Sequence, residues 1–287
     1  MSLLLNAPQR EAIHYLDGPC LVLAGAGSGK TRVITQKIAY LITECGMSPH
    51  NIAAITFTNK AAKEMLERIT KLMGGRGANG LTVCTFHAMG VRIVRQEAKL
   101  LGLKPQFSIL DASDTTQIIA ELTGNTDKNR AKALQWQISS WKNALIEPEE
   151  AAHRANDEIS SAAALLYRDY DKTLRAYQGV DFDDLIRLPV KLFDEHPEVR
   201  ERWQNKLRYL LVDEYQDTNR AQYRLLKLLA GVRAAFTAVG DDDQAIYAWR
   251  GADIENLRQL PRRLPQPAGH QARAKLPLHH AHPQRRQ

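Results

Sequence analysis

The chain has 287 residues, of which 44% are apolar, and a formal net charge of +7. This composition supports a packed core, and the length accommodates one large domain or two small ones. No apolar stretch approaches the roughly 20 residues that cross a bilayer. The first residues have neither a charged leader nor a secretory apolar region, and the three cysteines form no close pair, which fits a reducing compartment. We therefore expect a cytoplasmic protein without a membrane partner.

The positive net charge is not evidence of nucleic-acid binding by itself. Residues 258–287 contain seven Lys or Arg and no acidic residue, and the rest of the chain contains 32 basic and 32 acidic residues. Any DNA affinity of residues 1–257 must then come from a local groove.

The first informative element is an apolar run at Cys20–Leu23, which predicts a buried strand. A glycine-rich loop follows, and then a helix over Thr31–Thr43. Such a loop turns backbone N–H groups towards phosphates, while Lys30 reaches the outer phosphates and the Thr31 hydroxyl ligates Mg²⁺. The alternative is a glycine turn without function, and the usual loop begins with Gly where this chain has Ala. The predicted phosphate loop consists of Ala24, Gly25, Ala26, Gly27, Ser28 and Gly29.

Two further strands are predicted at Ile52–Phe57 and Leu81–Thr85, with a helix over Lys60–Leu72 between them. Phe57 ends the first of these strands, where it is either a base-contacting ring or a core aromatic. His87 follows the second strand, and contact with a phosphate, contact with a base and helix capping all remain open for it. A metal-ligating role is not expected, because only one soft ligand lies nearby in the sequence.

Residues 88–197 contain Ala, Leu, Gln, Lys and Glu at helical spacings, which predicts a mostly helical insertion. Within this stretch, Asp181–Asp184 is a polar cluster near a turn, and such clusters are more often structural caps than catalysts. Trp136 and Trp141 are five residues apart and do not share one helix face, so we expect at least one of them in the core.

The fourth predicted strand, Leu207–Val212, ends in Asp213 and Glu214. Acidic residues at the carboxyl end of a parallel strand lie at the sheet edge where the phosphate loop also lies. Asp213 is placed to hold a metal ion, directly or through water, and Glu214 to orient and deprotonate an attacking water. The alternative is a solvated acidic turn.

The fifth predicted strand, Ala235–Val239, precedes Gln244, Tyr247, Trp249 and Arg250. A neutral amide just past a strand end is suited to sensing a terminal phosphate. An aromatic pair followed by a cation is suited to base stacking, at roughly 1–3 kcal/mol per base, although the spacing also fits core aromatics. Strand–helix alternation with site residues at strand ends predicts an α/β fold with a doubly wound parallel sheet.

Seven segments resemble the superfamily 1 DNA helicases of the UvrD, Rep and PcrA group, most closely its Rep branch. They occur in the family's order and at about its spacing, over residues 3–257. The segments are Leu5–Gln9, Ala24–Arg32, Ile55–Ala62, Thr85–His87, Asp181–Asp184, Asp213–Asp217 and Gly240–Gly251.

This resemblance implies a RecA-like P-loop NTPase domain over residues 1–87 and 198–257, interrupted by a helical insertion domain over 88–197. The implied cofactors are ATP and Mg²⁺, and the implied activity is a DNA-stimulated ATPase that drives 3′-to-5′ translocation and unwinding. Single-stranded DNA and duplex junctions are the implied partners, and self-association or contact with replication and repair proteins is a further expectation.

The resemblance also implies residue roles. Lys30, Glu214 and Gln244 would be catalytic, with Gln244 reading the terminal phosphate. Gln9 would contact the adenine edge, and Arg32 would lie along the nucleotide. Thr31 and Asp213 would serve the metal ion. The residues implied along the DNA path are Thr56, Phe57, Asn59, Thr85, Phe86, His87, Tyr247, Trp249 and Arg250.

The resemblance ends near Leu257, and residues 258–287 hold five of the chain's twelve prolines and four of its nine histidines. Such composition predicts a largely disordered tail, and an out-of-frame or otherwise altered end is our interpretation of it. The family continues into a second RecA-like domain, so we expect these residues alone to be weakly active or inactive. The alternatives are an ATP- and DNA-binding module without motor activity, the motor part of a helicase–nuclease, and an RNA rather than a DNA substrate.

Overall fold

The computed structural model describes residues 5–24, 29–75, 78–233, 235–241 and 273–276. These residues belong to two compact units. The first comprises Met1–Thr85, Arg202–Thr218 and Leu229–Gln287, and the second comprises Phe86–Glu201 and Asn219–Leu228.

The helices and strands alternate in the first unit, whereas helices predominate in the second. The helices are α1 (Ala7–His14), α2 (Lys30–Thr43), α3 (Asn59–Leu72), α4 (Phe86–Gln96), α5 (Ala112–Thr123), α6 (Lys128–Asn143), α7 (Pro148–Arg154), α8 (Glu158–Ala176), α9 (Asp184–Glu195), α10 (Pro197–Lys206) and α11 (Arg220–Ala230). The strands are β1 (Cys20–Ala24), β2 (Ile52–Thr56), β3 (Thr82–Thr85), β4 (Ser108–Leu110), β5 (Gly179–Asp181), β6 (Tyr209–Val212), β7 (Phe236–Gly240) and β8 (Arg273–Leu276).

A parallel sheet with the strand order β3-β2-β6-β7-β1-β8 forms the centre of the first unit. β2, β6 and β7 are buried along their whole length, which explains why their sequences are continuous apolar runs rather than alternating ones. β7 lies between β6 and β1, so the residues that follow β6 and β7 lie at the same sheet edge as the segment that follows β1.

In the first unit, α1 and α3 begin at residues whose side chains accept hydrogen bonds from free backbone N–H groups. Asn6 and Gln9 form a reciprocal capping box at the start of α1, and the Thr58 hydroxyl accepts from the Ala61 N–H in the first turn of α3. Apolar side chains of α1, α2 and α3 pack with those of the sheet in one core, whose members include Ile13, Val22, Ile34, Ile38, Ile52, Met65, Ile69, Leu211 and Val239.

The second unit has an aromatic core and a buried ionic network. Trp141 of α6 stacks on Tyr167 of α8 with ring centroids 6.0 Å apart. Lys142, which is fully buried, lies next to the carboxylates of Asp171, Asp181 and Asp184. The short strands β4 and β5 pair in parallel at one side of this unit.

The predicted α/β fold class is confirmed, and each of the five predicted strands is present within two residues of its predicted ends. Residues 273–276 form β8, which pairs in parallel with β1, and the expectation that residues 258–287 are largely disordered stays a prediction. The pairing satisfies backbone groups at an otherwise open sheet edge. The domain boundaries at 87/88 and 197/198 stay predictions.

Candidate active site

The predicted phosphate loop is preceded by a strand and followed by a helix in the structure. β1 ends at Ala24, α2 begins at Lys30, and Gly29 between them has a φ of +88°. A side chain is disfavoured at that backbone conformation, which explains a glycine here. The first N–H groups of α2 have no partner within the helix and are available to an anion. Gly25, Ala26, Gly27 and Ser28 lie outside the described residues.

Lys30 is the buried cation of the site. Its Nζ lies 3.3 Å from Asp241 Oδ2 and 3.7 Å from Glu214 Oε2, and its side chain is 8% exposed. Two carboxylates thus compensate the charge of a largely buried ammonium group. Both distances are long for an ion pair, and an anionic phosphate is the kind of ligand that can take their place.

Thr31 and Asp213 bring two oxygen ligands together from distant parts of the chain. The Thr31 hydroxyl donates to Asp213 Oδ2 at 3.3 Å. Burial raises the pKa of the Asp213 carboxyl to about 6, and the neighbouring Glu214 carboxylate adds to this rise. The Glu214 backbone N–H, Thr31 and Lys30 act in the opposite direction.

This oxygen pair fits Mg²⁺, which takes one or two protein oxygens and fills its other positions with water and substrate phosphates. In the part of the chain that the structure describes, no cluster of three or more His, Cys, Asp or Glu could hold a metal ion. A magnesium ion shared with a nucleotide needs no such cluster, since the phosphates supply ligands themselves.

Glu214 combines an unusual backbone with an accessible carboxylate. Its φ of +50° lies in the left-handed region, which is uncommon for a residue with a side chain. Backbone strain of this kind, of order 1–3 kcal/mol, concentrates at functional sites. The side chain is 40% exposed, so water can reach the carboxylate.

Two further residues of this site, Gln216 and Asp241, are not among those predicted from the sequence. Gln216 Nε2 donates to Glu214 Oε2 at 2.6 Å, and Gln216 Oε1 accepts from the Asp241 backbone N–H at 2.9 Å. Asp241 directly follows β7, just as Asp213 directly follows β6, so the rule used for Asp213 could have found it. Gln216 lies within the family-like segment Asp213–Asp217, but the residue type alone does not indicate its role.

Gln9 lies beside Gly29, the last residue of the predicted phosphate loop. It is 3% exposed, and a Cβ added to Gly29 would lie 3.0 Å from Gln9 Nε2. Its Oε1 accepts from the Asn6 backbone N–H at 3.0 Å, so one end of the amide is used for capping. Arg32 lies in the first turn of α2. The adenine and nucleotide contacts of these two residues stay predictions.

Thr56 and Thr85 end β2 and β3, and Asp213 directly follows the neighbouring strand β6. Thr56 is the register partner of Thr85, and the Asp213 N–H donates to the carbonyl of Ile55 at 3.1 Å. Phe57 follows Thr56 and is partly buried, and Asn59 is exposed at the start of α3. The DNA contacts of these residues are not tested by the geometry and stay predictions.

Phe86 and His87 begin α4 in the second unit. The Phe86 side chain is 1% exposed, so its ring belongs to the core of the protein. His87 contacts Phe182 edge to face with centroids 5.6 Å apart, and burial lowers the pKa of its imidazole. Gln244, Tyr247, Trp249 and Arg250 lie outside the described residues, and their roles stay predictions.

Comparison with known proteins identifies the family. The sequence profile of the UvrD/REP helicase N-terminal domain matches residues 5–265. The chain belongs to the UvrD/Rep helicase family. It is 53% identical over 264 residues to the ATP-dependent DNA helicase Rep of Salmonella typhimurium and, equally, to that of Escherichia coli K12. It is 48% identical over 257 residues to the ATP-dependent DNA helicase PcrA of Staphylococcus epidermidis.

These matches cover most of this chain and a minor part of each relative. They include 91% of the chain and 39% of either Rep protein, and 88% of the chain and 35% of the PcrA protein. The chain thus corresponds to an N-terminal part of these helicases. No helix in the described ranges is long and apolar enough to cross a membrane.

Proposed function

We propose that this chain forms the nucleotide-binding part of an ATP-dependent DNA helicase, a motor that translocates 3′ to 5′ along single-stranded DNA. The observation that carries the proposal is the convergence of Lys30, Thr31, Asp213 and Glu214 at one sheet edge. A buried cation, an oxygen pair and an accessible carboxylate are the parts that phosphoryl transfer from ATP to water requires. The names of the Rep and PcrA relatives support the same activity.

Each residue has a distinct role in this proposal. Lys30 exchanges its carboxylate partners for the outer phosphates of ATP, and Thr31 and Asp213 hold Mg²⁺. The ion supplies charge neutralisation on the phosphates when it is bound. Glu214 orients the attacking water and accepts its proton. Its exposed carboxylate and the hydrogen bond that it accepts from Gln216 suit it to this role. Gln244 senses the terminal phosphate.

Nucleotide recognition and DNA binding are assigned to residues around this centre. Gln9 contacts the adenine edge, and Arg32 lies along the nucleotide. Single-stranded DNA and duplex junctions are the proposed substrates, and replication or repair proteins and further copies of the chain are the proposed partners. The DNA path is proposed to run along Thr56, Phe57, Asn59, Thr85, Phe86, His87, Tyr247, Trp249 and Arg250.

A polypeptide of these 287 residues alone is expected to turn over little ATP. In this family a second RecA-like domain supplies arginines across the nucleotide, and such trans-acting arginines contribute roughly 10³–10⁵ in rate in comparable systems. Movement along DNA also needs two domains that open and close. We therefore expect weak binding of Mg-nucleotide and single-stranded DNA, with no unwinding.

The second candidate function is a nucleotide-dependent DNA-binding module without motor activity. It requires only the binding groups named above, which lie at one edge of the sheet in the first unit. ATP turnover separates the two candidates, because only a motor requires it.

The decisive experiment measures ATP hydrolysis by the purified chain with and without single-stranded DNA. Glu214→Gln is the matched control, because it keeps the size of the side chain and removes the base. DNA-stimulated turnover that disappears in this variant supports a catalytically sufficient domain. Nucleotide binding without turnover supports the binding module. A folded chain that binds no Mg-ATP contradicts both functions.

A further inference from the structure

Lys37 is a fully buried lysine that the proposed ATP chemistry does not use. It lies on α2, seven residues and about two turns after Lys30. None of the ion pairs found among the described residues includes it. An ammonium group in such a position is costly unless its hydrogen bonds are satisfied, so its partners indicate what it does.

The partners of Lys37 are at the end of α1. Its Nζ donates to the carbonyl oxygens of Ala12 at 2.8 Å and Tyr15 at 2.6 Å. Ala12 lies in the last turn of α1 and Tyr15 is its C-cap residue. Backbone oxygens at a helix end lack helical partners and carry the negative end of the helix dipole. The ammonium group also lies 5.5 Å from the centroid of the Tyr209 ring. Lys37 thus joins the end of α1 to the helix that begins with Lys30.

At its N-terminal end, α1 is capped by Asn6, which forms a reciprocal capping box with Gln9. Gln9 lies beside Gly29, the residue directly before α2. α1 has only eight residues, so fixing its last turn also fixes the position of its first turn. A second contact also holds the end of α1 against α2, because the rings of His14 and Tyr40 pack edge to face with centroids 4.8 Å apart.

Stability alone does not explain a lysine at this position. Burial lowers the pKa of the Lys37 ammonium to about 8, which shows that the folded state disfavours its charge. An apolar side chain such as Met would avoid that cost. What Met would not provide is two directed hydrogen bonds that set where α1 ends.

We propose that Lys37 is a positioning residue that holds α1 so that Gln9 stays beside Gly29, and that it thereby determines recognition of the adenine base rather than of the phosphates. This inference rests on the proposed ATP-binding function. A positioning role for Lys37 differs from a general structural role in one respect. Loss of Lys37 must weaken binding of ATP without weakening binding of a phosphate chain that has no base.

The test compares two ligands, Mg-ATP and Mg-tripolyphosphate, which share a triphosphate chain and differ in the nucleoside. Dissociation constants are measured for the wild type, Lys37→Met and Gln9→Ala, with Lys63→Met, an exposed lysine on α3, as the control. We expect Lys37→Met to weaken ATP binding about fivefold, the equivalent of one lost hydrogen bond, and to leave tripolyphosphate binding within about twofold.

The double variant Lys37→Met/Gln9→Ala gives a second readout. If Lys37 acts through Gln9, the double variant binds ATP no more weakly than Gln9→Ala alone, because residues acting through one contact are not additive. Independent, additive losses would overturn the inference. So would equal losses for both ligands, or unchanged ATP binding in folded Lys37→Met.

Folding is followed in parallel by thermal unfolding. If Lys37→Met does not fold, Lys37→Gln retains one donor and is tested against the same two ligands. Failure of both variants to fold shows a role in stability and overturns the positioning role. A wild-type chain that binds neither ligand contradicts the proposed function itself, whereas binding with no base-specific change contradicts only the role of Lys37.

Discussion

Replacing Lys142 by Met is expected to destabilise the second unit more than most single substitutions would. Lys142 Nζ lies 2.7 Å from Asp181 Oδ2, 3.0 Å from Asp184 Oδ1 and 3.0 Å from Asp171 Oδ1. Burial by itself lowers the pKa of the Lys142 ammonium, but these carboxylates outweigh it and raise that pKa well above 10.5. The charge is therefore present whenever the unit is folded, and the carboxylates depend on it.

The magnitude follows from what the substitution leaves behind. Asp181 and Asp184 are 5% and 1% exposed, so both carboxylates would remain buried after their shared cation is gone. Arg187 still contacts Asp184 and Asp171, at 3.3 and 2.8 Å, and compensates part of the charge. Removal of one partner of a buried ion pair costs about 3–5 kcal/mol, and we expect Lys142→Met to fall in this range.

Denaturant unfolding followed by tryptophan fluorescence measures this loss. Trp141 is 5% exposed and adjacent to Lys142, so its emission reports on the unit concerned. Lys172→Met is the matched control, because Lys172 is 70% exposed and contacts Asp169 at 3.4 Å. The control should change the free energy of unfolding by about 0.5 kcal/mol or less. A loss below about 1 kcal/mol for Lys142→Met would refute the reasoning.

Three further predictions concern other parts of the protein. Gly90→Ala should lower the free energy of unfolding by about 1–3 kcal/mol in denaturant titrations, because the new Cβ would lie 1.9 Å from the Leu185 carbonyl oxygen. Thr31→Ala should reduce the gain in ATP affinity that Mg²⁺ gives, and leave affinity in EDTA unchanged. An equal change with and without Mg²⁺ would speak against the metal role. The pKa of Lys37 is about 8 in the folded state, against 10.5 for an ordinary lysine. Between these values the unfolded chain binds more protons, so wild-type stability should rise with pH relative to Lys37→Met, by up to about 3 kcal/mol. Unfolding of both proteins at pH 7 and pH 9.5 checks this trend, and a constant difference would contradict it.

The sheet could be predicted from the sequence because its strands are buried on both faces. Tyr209–Val212 and Ile52–Thr56 are fully buried, and each is a continuous apolar run that ends at a polar residue. The three-residue strands β4 and β5 give no such signal, although Gly179–Asp181 is buried throughout. Ser108–Leu110 has two exposed residues out of three and was not predicted.

Burial within the helical unit was predictable only in part. The spacing of Trp136 and Trp141 indicated that at least one belongs to the core, and this is confirmed, since Trp141 is 5% and Trp136 65% exposed. Which of the two is buried depends on packing between α6 and α8, and helical periodicity alone does not fix it. Likewise, the sequence indicates a structural role for Asp181–Asp184, but it does not reveal Lys142 as the partner, which is about 40 residues away.

Three buried lysines differ in their partners, and this difference supports the proposed phosphate-binding role of Lys30 more than its burial does. Lys142 has three carboxylates at 2.7–3.0 Å, so its charge is fully used within the fold. Lys37 has two backbone carbonyls, which fix a helix end. Lys30 has two carboxylates at the longer distances of 3.3 and 3.7 Å, and one of them is 40% exposed. Of the three, Lys30 alone is held loosely enough, and near enough to water, for an incoming phosphate to replace its partners. All three lysines lie in segments that the sequence predicts to be helical. Only Lys30 directly follows a glycine-rich loop, which indicates what it binds.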